Sequence, residues 1–498
     1  MLRDTMCHLQ LSSRCGIVYV MNLFYSMRTR RAHIPTHAAN LLIFLALSFC
    51  ACSQNGRGSQ SAPRTAQQTT ERIASQSANA AHNDAAHDAR QTAAHNTNLV
   101  TAQTAGHNQN VRICASVPTI EDEYIPLFHT NVFIRTDDDV LADNIERELA
   151  RMHKLFDAHH YYHDDESAGI LKNLKIVNEH IALGKSVHAG DEFASLLADA
   201  IHLMHLTRGA FNIFLAPVSA LYAGKFSSFP IEQSDPDANT IEEALRCVLN
   251  ADEATECIAI SGGDISFFPR AERQTARHAA MPQEAQRVTS AVRQHTALQA
   301  TEHAAHFDYA LDFGAIAKGA AAHKISMLHP DGTFLLSMGS STLVSRGGTY
   351  RIGIASPHYK TLALLHIDLP SGMALSTSGT TNSYYILADD SRIIRCHILD
   401  SRTGYSNNWW WAVIVVSDNA FVTDAMSTAL FNVGDEAEIA AIIADVQAAY
   451  NCELEACFVK DENRKEKTVS LVMTRGFASY VYSEYKGMGI IGTKLLAQ

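Results

Sequence analysis

Three short segments in the C-terminal half carry side chains that could act on a phosphorylated ligand. Their sequences are DFGAIAKG at residues 312–319, HILDSRTG at 397–404 and TDAMSTAL at 423–430. Together they supply oxygen ligands, one lysine, one histidine and glycine-bearing turns. This combination predicts a site that holds a metal-bound pyrophosphate and cleaves it.

TDAMSTAL predicts a helical face with two oxygen donors. Asp424 and Thr428 stand four residues apart, so on a helix they share one face. A carboxylate and a hydroxyl suit Mg²⁺, which keeps several waters and shares its ligands with substrate phosphates. A capped helix start with an inward-turned threonine would give the same spacing, and that interpretation stays open.

DFGAIAKG predicts an anion site. Gly314 allows a tight turn, and Lys318 lies near the start of the helix expected at residues 317–328. Backbone N–H groups at a helix N-terminus, together with a lysine, suit a phosphate. The glycine spacing differs from that of a Walker A loop. A surface lysine after a glycine turn is the alternative interpretation.

HILDSRTG ends an expected strand in a turn and supplies the acid–base candidate, His397. A lone histidine in a strand can equally be a hydrogen-bonded core residue. Asp400 suits an Asx-type bond to the backbone, and Gly404 suits the unusual dihedral angle of such a turn. Cys396 is interpreted as a small core residue rather than a thiol nucleophile. Residues 377–379 predict a further polar turn.

The helices and strands expected to position these segments do not follow one another in a regular βαβ alternation. Apolar periodicity predicts helices at residues 144–156, 193–206, 242–249, 317–328, 422–431 and 436–449, with Gly209 ending the second. Strands are expected at residues 128–136, 257–260, 307–311, 334–337, 350–354, 363–367, 384–387, 393–398, 412–416, 454–459 and 469–473, with a hairpin turn at 262–263. The mixture predicts an α+β fold with mainly antiparallel sheets packed against helices.

Composition divides the 498 residues into three regions. Residues 1–52 predict a signal peptide with a lipobox, 53–118 a disordered low-complexity linker, and 119–498 the catalytic domain, with a flexible insertion at 270–306. Three arginines precede the apolar run at residues 41–49, which is too short to span a bilayer. Cys52 is the expected lipidation site and Cys50 the alternative; an ordinary secretory signal is the other interpretation. A lipid there would anchor the protein to the periplasmic side of a bacterial inner membrane.

Charge and cysteine spacing exclude other classes of protein. The formal net charge is −12, and residues after position 52 contain 35 Lys/Arg against 51 Asp/Glu. An acidic body without a basic stripe argues against nucleic acid as a partner. The six cysteines after Cys52 match neither a zinc ribbon nor a CxxC motif.

The segments resemble those of the bacterial FAD:protein FMN transferases, ApbE-like flavin transferases that are often lipoproteins. The resemblance covers about residues 125–475. It includes GAFNIFLAPVSALY at residues 209–222, DFGAIAKG, the LLSMGS turn, ALSTSG, HILDSRTG and TDAMSTALFNVG. Because these segments occur in the family's order, the resemblance is highly specific.

The resemblance implies the ApbE-like flavin transferase fold and a reaction. The reaction would be Mg²⁺-dependent transfer of FMN from FAD to a threonine hydroxyl of a target protein, with release of AMP. The target could be a subunit of a membrane redox complex. With water in place of threonine, the same site would be an FAD pyrophosphatase that gives FMN and AMP. A non-enzymatic FAD-binding lipoprotein is the remaining alternative.

The resemblance also implies roles for individual residues. Mg²⁺ would be held by the Ala315 carbonyl, Asp424 and Thr428, with Ser427 close by. His397 would take the proton of the attacking hydroxyl, a role typically worth about 10²–10⁴ in rate. Lys318 would offset charge on the phosphates. The residues implied to contact FAD are Tyr162, Ala210, Phe211, Asn212, Asp312, Lys318 and Ile398.

Several positions depart from the family's pattern. Met-Gly-Thr reads Phe128-His129-Thr130, the aspartate after Gly-Ala-Phe is Asn212, and the proline of HILDPRTG-type turns is Ser401. A double-glycine turn reads 339-GSS-341, and the aspartate-tyrosine after Thr-Ser-Gly reads 380-TT-381. These departures leave the expected metal ligands unchanged and concern the turns expected to face the flavin.

Overall fold

The computed structural model describes residues 110–164, 169–227, 231–270, 307–339, 341–359, 362–380, 383–484 and 489–496. The expected signal peptide and lipobox lie outside the described residues, as do residues 53–109 of the expected linker and 271–306 of the expected insertion. Residues 110–118, expected to belong to the linker, already include two strands. Regular structure therefore begins earlier in the chain than the composition suggested.

Helices form where apolar side chains recur at helical spacing. Their bounds are α1 Asp139–Phe156, α2 Leu174–Ala182, α3 Asp191–Leu206, α4 Ala216–Ser219, α5 Ala238–Leu245, α6 Ala251–Cys257, α7 Ala317–Leu328, α8 Ala420–Phe431, α9 Glu436–Tyr450 and α10 Phe477–Tyr480. In α1 the buried side chains of Ile145, Leu149 and Met152 form the apolar face, and the Asp138 side chain caps the start. Within the described ranges, no helix has the length and apolar character needed to cross a bilayer.

The strands are mostly short and follow one another through tight connections. Their bounds are β1 Asn110–Ile113, β2 Val117–Pro118, β3 Tyr124–Ile125, β4 Val132–Thr136, β5 Val187–His188, β6 Glu232–Gln233, β7 Ile258–Ser261, β8 Asp264–Phe267, β9 Phe334–Met338, β10 Thr342–Arg346, β11 Tyr350–Ala355, β12 Ala363–Leu369, β13 Ala374–Gly379, β14 Tyr384–Leu387, β15 Ile394–Cys396, β16 Ala412–Ser417, β17 Leu454–Asn463, β18 Thr468–Met473, β19 Val481–Glu484 and β20 Ile490–Leu495. Single 3₁₀ turns lie at Leu127–His129 and Ala220–Tyr222.

The largest sheet formed by the described residues has nine strands, in the order β1-β4-β9-β10-β13-β16-β17-β18-β20. Neighbours in this sheet pair antiparallel except β18 and β20, which are parallel. The mixture of helices with mainly antiparallel sheets confirms the predicted α+β fold.

The nine-stranded sheet separates two apolar cores. Along β16, Val413 and Val415 belong to the core that contains the helices, whereas Ile414 and Val416 belong to the core shared with β11 and β12. Successive strand side chains point to opposite faces, so every residue of this central strand is buried. Helices α7 and α8 pack on the helical face, and they carry Lys318 and the predicted metal-site residues Asp424, Ser427 and Thr428.

The predicted helices and most predicted strands are confirmed to within a few residues, but three predictions are wrong. Residues 307–311 do not form a strand, and the predicted strand at 128–136 begins as a 3₁₀ turn. Residues 377–379 belong to β13 rather than to a turn. β13 pairs with β10 on one side and β16 on the other. Its Ser376 hydroxyl donates to the Thr342 hydroxyl of β10, and its Ser378 hydroxyl lies 2.8 Å from the Ser427 hydroxyl of α8.

Gly209 ends α3, as the sequence predicted. The Gly209 N–H donates to the Met204 carbonyl at 2.9 Å, and the Arg208 N–H donates to the His205 carbonyl at 3.1 Å. This is the Schellman arrangement, in which left-handed residues close the last turn. Arg208 and Gly209 have φ values of 55° and 79°. The turn sends the chain into residues 210–214, which reach the candidate site.

Candidate active site

The site is built where α7 crosses α8, and the crossing depends on Gly319. A Cβ atom at this position would lie 2.6 Å from the Ala420 carbonyl oxygen and still closer to the Asp424 Cβ. Such contacts are too short for any side chain, so only glycine lets the two backbones approach this closely. The close approach brings the first turn of α7 against the middle of α8.

Asp424 is buried at this crossing, with only 3% of its surface exposed. Its Oδ2 accepts the Gly319 N–H at 2.8 Å, and its Oδ1 accepts the Thr342 hydroxyl at 3.0 Å. Burial raises the pKa of Asp424, whereas the charge of Lys318 and the two hydrogen bonds act in the opposite direction. Two hydrogen-bond donors therefore fix the orientation of the carboxylate. Because burial disfavours its ionised form, a nearby cation would stabilise that form.

The Ala315 carbonyl lies four residues before Gly319 and would accept the Gly319 N–H if the helix continued regularly. That N–H donates to Asp424 instead. The regular pattern of α7 begins with the next N–H, that of Ala320, which donates to the Ile316 carbonyl at 2.8 Å. Within the described part of the chain, no donor bonds to the Ala315 carbonyl. An oxygen acceptor thus remains available beside the buried carboxylate.

Three hydroxyl groups form a cluster next to Asp424. Ser378 of β13 lies 2.8 Å from the Ser427 hydroxyl and 3.4 Å from the Thr428 hydroxyl. The Ser427 hydroxyl also donates to the Asp424 carbonyl at 2.9 Å. Thr428 is the more open of the two α8 hydroxyls, since Ser427 is fully buried and Thr428 is half-buried. The spacing that predicted a shared helical face is confirmed by this arrangement.

Lys318 lies in the first turn of α7, where its Nζ donates to the Gly314 carbonyl at 3.2 Å. Burial is the main cause of the lowered pKa of His397 and of His129, and the charge of Lys318 acts in the same direction; at Asp424 the charge of Lys318 opposes burial, which raises the pKa. These four side chains come from four different parts of the chain. Lys318 is thus a cationic neighbour of the other three side chains.

His397 follows β15 and is held by one backbone carbonyl. Its N–H donates to the Ser383 carbonyl at 3.2 Å, and its Nδ1 lies 3.4 Å from the same oxygen. A carbonyl only accepts, so Nδ1 carries the proton and Nε2 keeps a lone pair. The ring reaches solvent, but the surrounding protein and Lys318 lower its pKa. His397 is therefore a neutral base at neutral pH rather than a buried core residue.

Asp312 ties the turn before α7 to the neighbouring segments. Its Oδ1 accepts the Gly314 N–H at 2.8 Å, and its Oδ2 accepts the Ser219 hydroxyl at 3.4 Å. Its own N–H donates to the Ile213 carbonyl at 2.7 Å. The carboxylate is half-buried, so part of it remains open to a ligand.

The turn at residues 400–404 has the predicted construction. Asp400 Oδ1 accepts the Arg402 N–H at 2.9 Å, which is the expected Asx-type bond. Gly404 has a φ of 75°, and its N–H donates to the Asp400 carbonyl at 2.8 Å. Arg402 further pairs with Asp400 and bonds to the Asn432 carbonyl at 2.6 Å. The turn is thus fixed to the end of α8.

Five of the residues expected to contact FAD have buried side chains. They are Tyr162, Ala210, Phe211, Asn212 and Ile398. The Asn212 amide donates to the Leu249 carbonyl at 2.9 Å, and its oxygen accepts the Phe214 N–H at 2.7 Å. The Tyr162 hydroxyl donates to Asp157 at 2.6 Å. These five side chains are thus buried, whereas Asp312 and Lys318 are half-buried and His397 is exposed.

Other residues that build the site were not predicted from the sequence. Gly319, Thr342, Ser378 and Ser383 each make a contact described above. Only Gly319 carried a usable signal, because a glycine inside a helical pattern often marks a close backbone approach.

The donors at the α7–α8 crossing fit Mg²⁺. No group of three His, Cys, Asp or Glu side chains within the described ranges could hold a metal ion. The crossing instead offers a backbone carbonyl, a carboxylate and a hydroxyl, from Ala315, Asp424 and Thr428. Such all-oxygen sets with few protein ligands suit Mg²⁺, which completes its shell with water and phosphate oxygens.

A family model identifies the protein class that this fold and site define. The model of the ApbE family matches residues 128–450, more than half of the chain. The chain therefore belongs to the ApbE family.

Several solved structures are similar to this chain, and the first of those described here shares its fold. The ApbE protein of Thermotoga maritima is similar, with 18% identity and a TM-score of 0.51, and the match covers 75% of this chain and 100% of that one. The apo form of the flavinyl transferase ApbE from Pseudomonas stutzeri has 18% identity, a TM-score of 0.48 and coverages of 77% and 100%. The flavin transferase ApbE from Vibrio cholerae has 17% identity, a TM-score of 0.49 and coverages of 75% and 99%. No curated protein matches the sequence.

Proposed function

We propose that this protein transfers FMN from FAD to a threonine hydroxyl of a target protein, in a Mg²⁺-dependent reaction that releases AMP. Membership of the ApbE family and flavin transferases among the structures of similar fold support the class of reaction. The observation that carries the proposal is the Ala315 carbonyl, left available beside buried Asp424 because Gly319 donates to the carboxylate instead.

The metal would be held by the Ala315 carbonyl, Asp424 and Thr428, with Ser427 supporting the hydroxyl cluster. When bound, Mg²⁺ would supply positive charge that polarises the phosphoryl oxygens and offsets charge developing there. It would also favour the ionised form of Asp424, which burial disfavours. The two hydrogen bonds to Asp424 keep its carboxylate in one orientation before any ligand arrives.

Lys318 and His397 would act on the substrate itself. Lys318 would neutralise pyrophosphate charge, since its ammonium lies beside the first turn of α7. His397 Nε2 would accept the proton of the threonine hydroxyl as its oxygen bonds to the FMN phosphorus. The bond from that phosphorus to the bridging oxygen breaks, and AMP leaves with the electron pair. The Ser383 carbonyl keeps the proton on Nδ1 and so keeps Nε2 as the base.

Mass spectrometry of the reaction products tests this proposal. The protein is incubated with FAD, Mg²⁺ and a threonine-containing acceptor peptide, and a matched peptide has valine in place of threonine. We expect an FMN adduct on the threonine peptide alone, one AMP per adduct, and no reaction with a chelator present. Free FMN with either peptide would establish an FAD pyrophosphatase instead. Intact FAD in every sample would leave a non-enzymatic FAD-binding protein.

We further propose that lipid on Cys52, or alternatively on Cys50, anchors the protein to the periplasmic side of the inner membrane. There it would meet targets such as subunits of a membrane redox complex. The arginines and apolar run before Cys52 support the proposal. Radiolabelled palmitate should label the wild type, and Cys52→Ala should abolish both the label and membrane recovery. Labelling that survives in Cys52→Ala but not in Cys50→Ala would move the site to Cys50.

A further inference from the structure

A second cavity, of about 470 Å³, lies at the end of the nine-stranded sheet where β20 is the last strand. Its walls come from the loop before β16, the start of α9 and the strands β17, β18 and β20. Cavities that bind ligands typically measure about 300–1,000 Å³. None of the residues that line this cavity belongs to the candidate active site, so it would have an occupant of its own.

Trp409 forms one wall and is fixed in place although it is exposed. A Cβ atom at Gly434 would lie 2.5 Å from the Trp409 ring, so only glycine lets the indole rest against the backbone there. The next residue, Trp410, donates its indole N–H to the Val433 carbonyl at 2.7 Å. Even so, 55% of the Trp409 surface is exposed. A large aromatic side chain is thus held on the protein with much of its surface open.

Gly492 of β20 leaves room in another wall. In the register of β18 and β20, Ser470 pairs with Gly492 and Val472 pairs with Lys494. Val472 belongs to the core that contains the helices, so Gly492 and Lys494 are on the helical face of the sheet. A Cβ atom at Gly492 would meet nothing within 4 Å. A side chain at this position would therefore extend into open space on the cavity side.

The charged groups around the cavity neutralise one another. The Lys494 ammonium donates to the Glu436 carboxylate at 2.6 Å, and the Lys460 ammonium lies 3.4 Å from the Glu462 carboxylate. All four residues line the cavity, and their charges sum to zero. A charged ligand would have to compete with one of these pairs. An uncharged aromatic ring would not, and it would pack well against an exposed indole.

The strand beside the cavity has an open edge. Among the described residues, β20 pairs with β18 alone, and five of its six residues are exposed. The outer edge of such a strand presents backbone N–H and C=O groups to an added strand. An extended polypeptide can use this edge while it places a side chain in an adjacent pocket. The combination favours a protein segment over a free small molecule.

We propose that this cavity binds an extended segment of a partner protein. The segment pairs with the outer edge of β20 and places an uncharged aromatic side chain between Trp409 and Gly492. The inference is independent of the proposed transfer of FMN, because it concerns none of the residues of the candidate active site.

Two substitutions change the cavity in opposite ways. Gly492→Val fills it, and because valine favours strands over glycine, the variant should unfold at the wild-type temperature or higher. Trp409→Ala removes the aromatic wall, whereas Trp409→Phe keeps a ring there. Gly348→Val is the matched control, since a Cβ atom at Gly348 also meets nothing closer than 4.0 Å and the residue lies outside the cavity.

The experiment measures binding to the full chain by saturation-transfer NMR with three probes. The first is a blocked pentapeptide, acetyl-Thr-Val-Trp-Val-Thr-amide. The second is N-acetyltryptophanamide, which has the ring but too little backbone to form a strand, and the third is adenosine. We expect the pentapeptide to bind the wild type more tightly than either other probe. Loss of the aromatic contact predicts a Kd at least about 10-fold higher for Trp409→Ala and Gly492→Val. Trp409→Phe and Gly348→Val should remain within about threefold of the wild type.

Several results would overturn the inference. Pentapeptide binding that is absent, or that is unchanged in Gly492→Val, would show that the cavity does not hold the side chain. N-acetyltryptophanamide binding as tightly as the pentapeptide would exclude the edge of β20, and tighter binding of adenosine would make the cavity a small-molecule site. Sedimentation equilibrium covers the remaining occupant, because a wild-type dimer that dissociates in Gly492→Val would assign the cavity to a second copy of this chain.

Discussion

Two regions of the molecule are built in different ways. We call residues 312–319 with 420–428 the helix pair, and residues 127–131 with 157–162 the histidine turn. In the helix pair, the backbones of α7 and α8 approach each other closely at Gly319, and the Asp424 carboxylate accepts two hydrogen bonds. In the histidine turn, two consecutive residues hold left-handed conformations, and a buried chain of side chains keeps them there.

The two regions differ in rigidity. The helix pair fixes oxygen donors on rigid elements inside the larger core, which suits a metal ion with strict geometric demands. The histidine turn lies on an irregular segment, where a side chain can change without disturbing the packed helices. We therefore expect changes in the helix pair to have the larger effect on the reaction.

The largest effect is expected for Asp424→Ala in the helix pair. Removing the carboxylate removes the charged ligand of the proposed metal, so Mg²⁺-dependent AMP release should fall by at least about 10³-fold. Circular dichroism should show a folded protein. Asp418→Ala, an exposed aspartate just before α8, is the control and should keep full activity. Full turnover by Asp424→Ala would show that the metal site is assigned to the wrong residues.

His397→Gln tests the base that faces the helix pair. Glutamine keeps a polar side chain but cannot take the proton, so kcat should fall by about 10²–10⁴ while FAD affinity is retained. Because the pKa of His397 is lowered, the neutral base predominates at neutral pH. The wild-type rate should therefore rise with pH through a value below the usual histidine pKa, and this rise should be absent in the variant. An unchanged kcat in the variant would remove His397 from the mechanism.

Gly319→Ala tests the crossing that makes the helix pair. Alanine favours a helix over glycine by up to about 1 kcal/mol, but its Cβ would meet the Ala420 carbonyl at 2.6 Å. Overpacking of this kind costs about 1–3 kcal/mol, so the clash should dominate and lower the free energy of unfolding. Urea denaturation measures the change. Gly348→Ala, whose Cβ meets nothing closer than 4.0 Å, is the control. A stabilised Gly319→Ala would mean that the helices do not pack this closely.

The smallest effect concerns stability and pH. Burial raises the pKa of Asp424 in the folded protein, so its contribution to stability is greatest at low pH and is lost as pH rises through that pKa. Without metal, Asp424→Asn should unfold at the wild-type temperature or higher at pH 8, and Mg²⁺ should raise the midpoint of the wild type alone. Thermal scans with chelator or Mg²⁺ measure both. An equal Mg²⁺ shift in the two proteins would place the ion elsewhere.

The sequence predicted the helix pair better than the histidine turn. Helix α7 was predicted with its observed bounds, and the four-residue spacing of Asp424 and Thr428 does place both on one face of α8. Local periodicity and turn chemistry were sufficient there. The bond between Gly319 and Asp424 joins residues 105 positions apart, so no local pattern could show it.

At several polar residues, the residue type did not predict the hydrogen-bond partners or the secondary structure. Asn212 and Tyr162 are expected to contact FAD, and that expectation stays a prediction. The structure adds that their polar atoms bond to other protein groups, which their residue types did not predict. Residues 377–379 were interpreted as a polar turn because small polar residues favour turns, although they belong to β13, which pairs on both edges. The positive φ angles at residues 128–129 are a backbone property that the residue types do not predict.

A crystal soaked with FAD and Mn²⁺, which can replace Mg²⁺ and is located by its anomalous signal, tests the central claim most directly. The account predicts one ion about 2.1 Å from the Ala315 carbonyl oxygen, the Asp424 carboxylate and the Thr428 hydroxyl, with phosphate oxygens of FAD completing its shell. An ion bound elsewhere, or FAD bound with its phosphates away from these three oxygens, would contradict it.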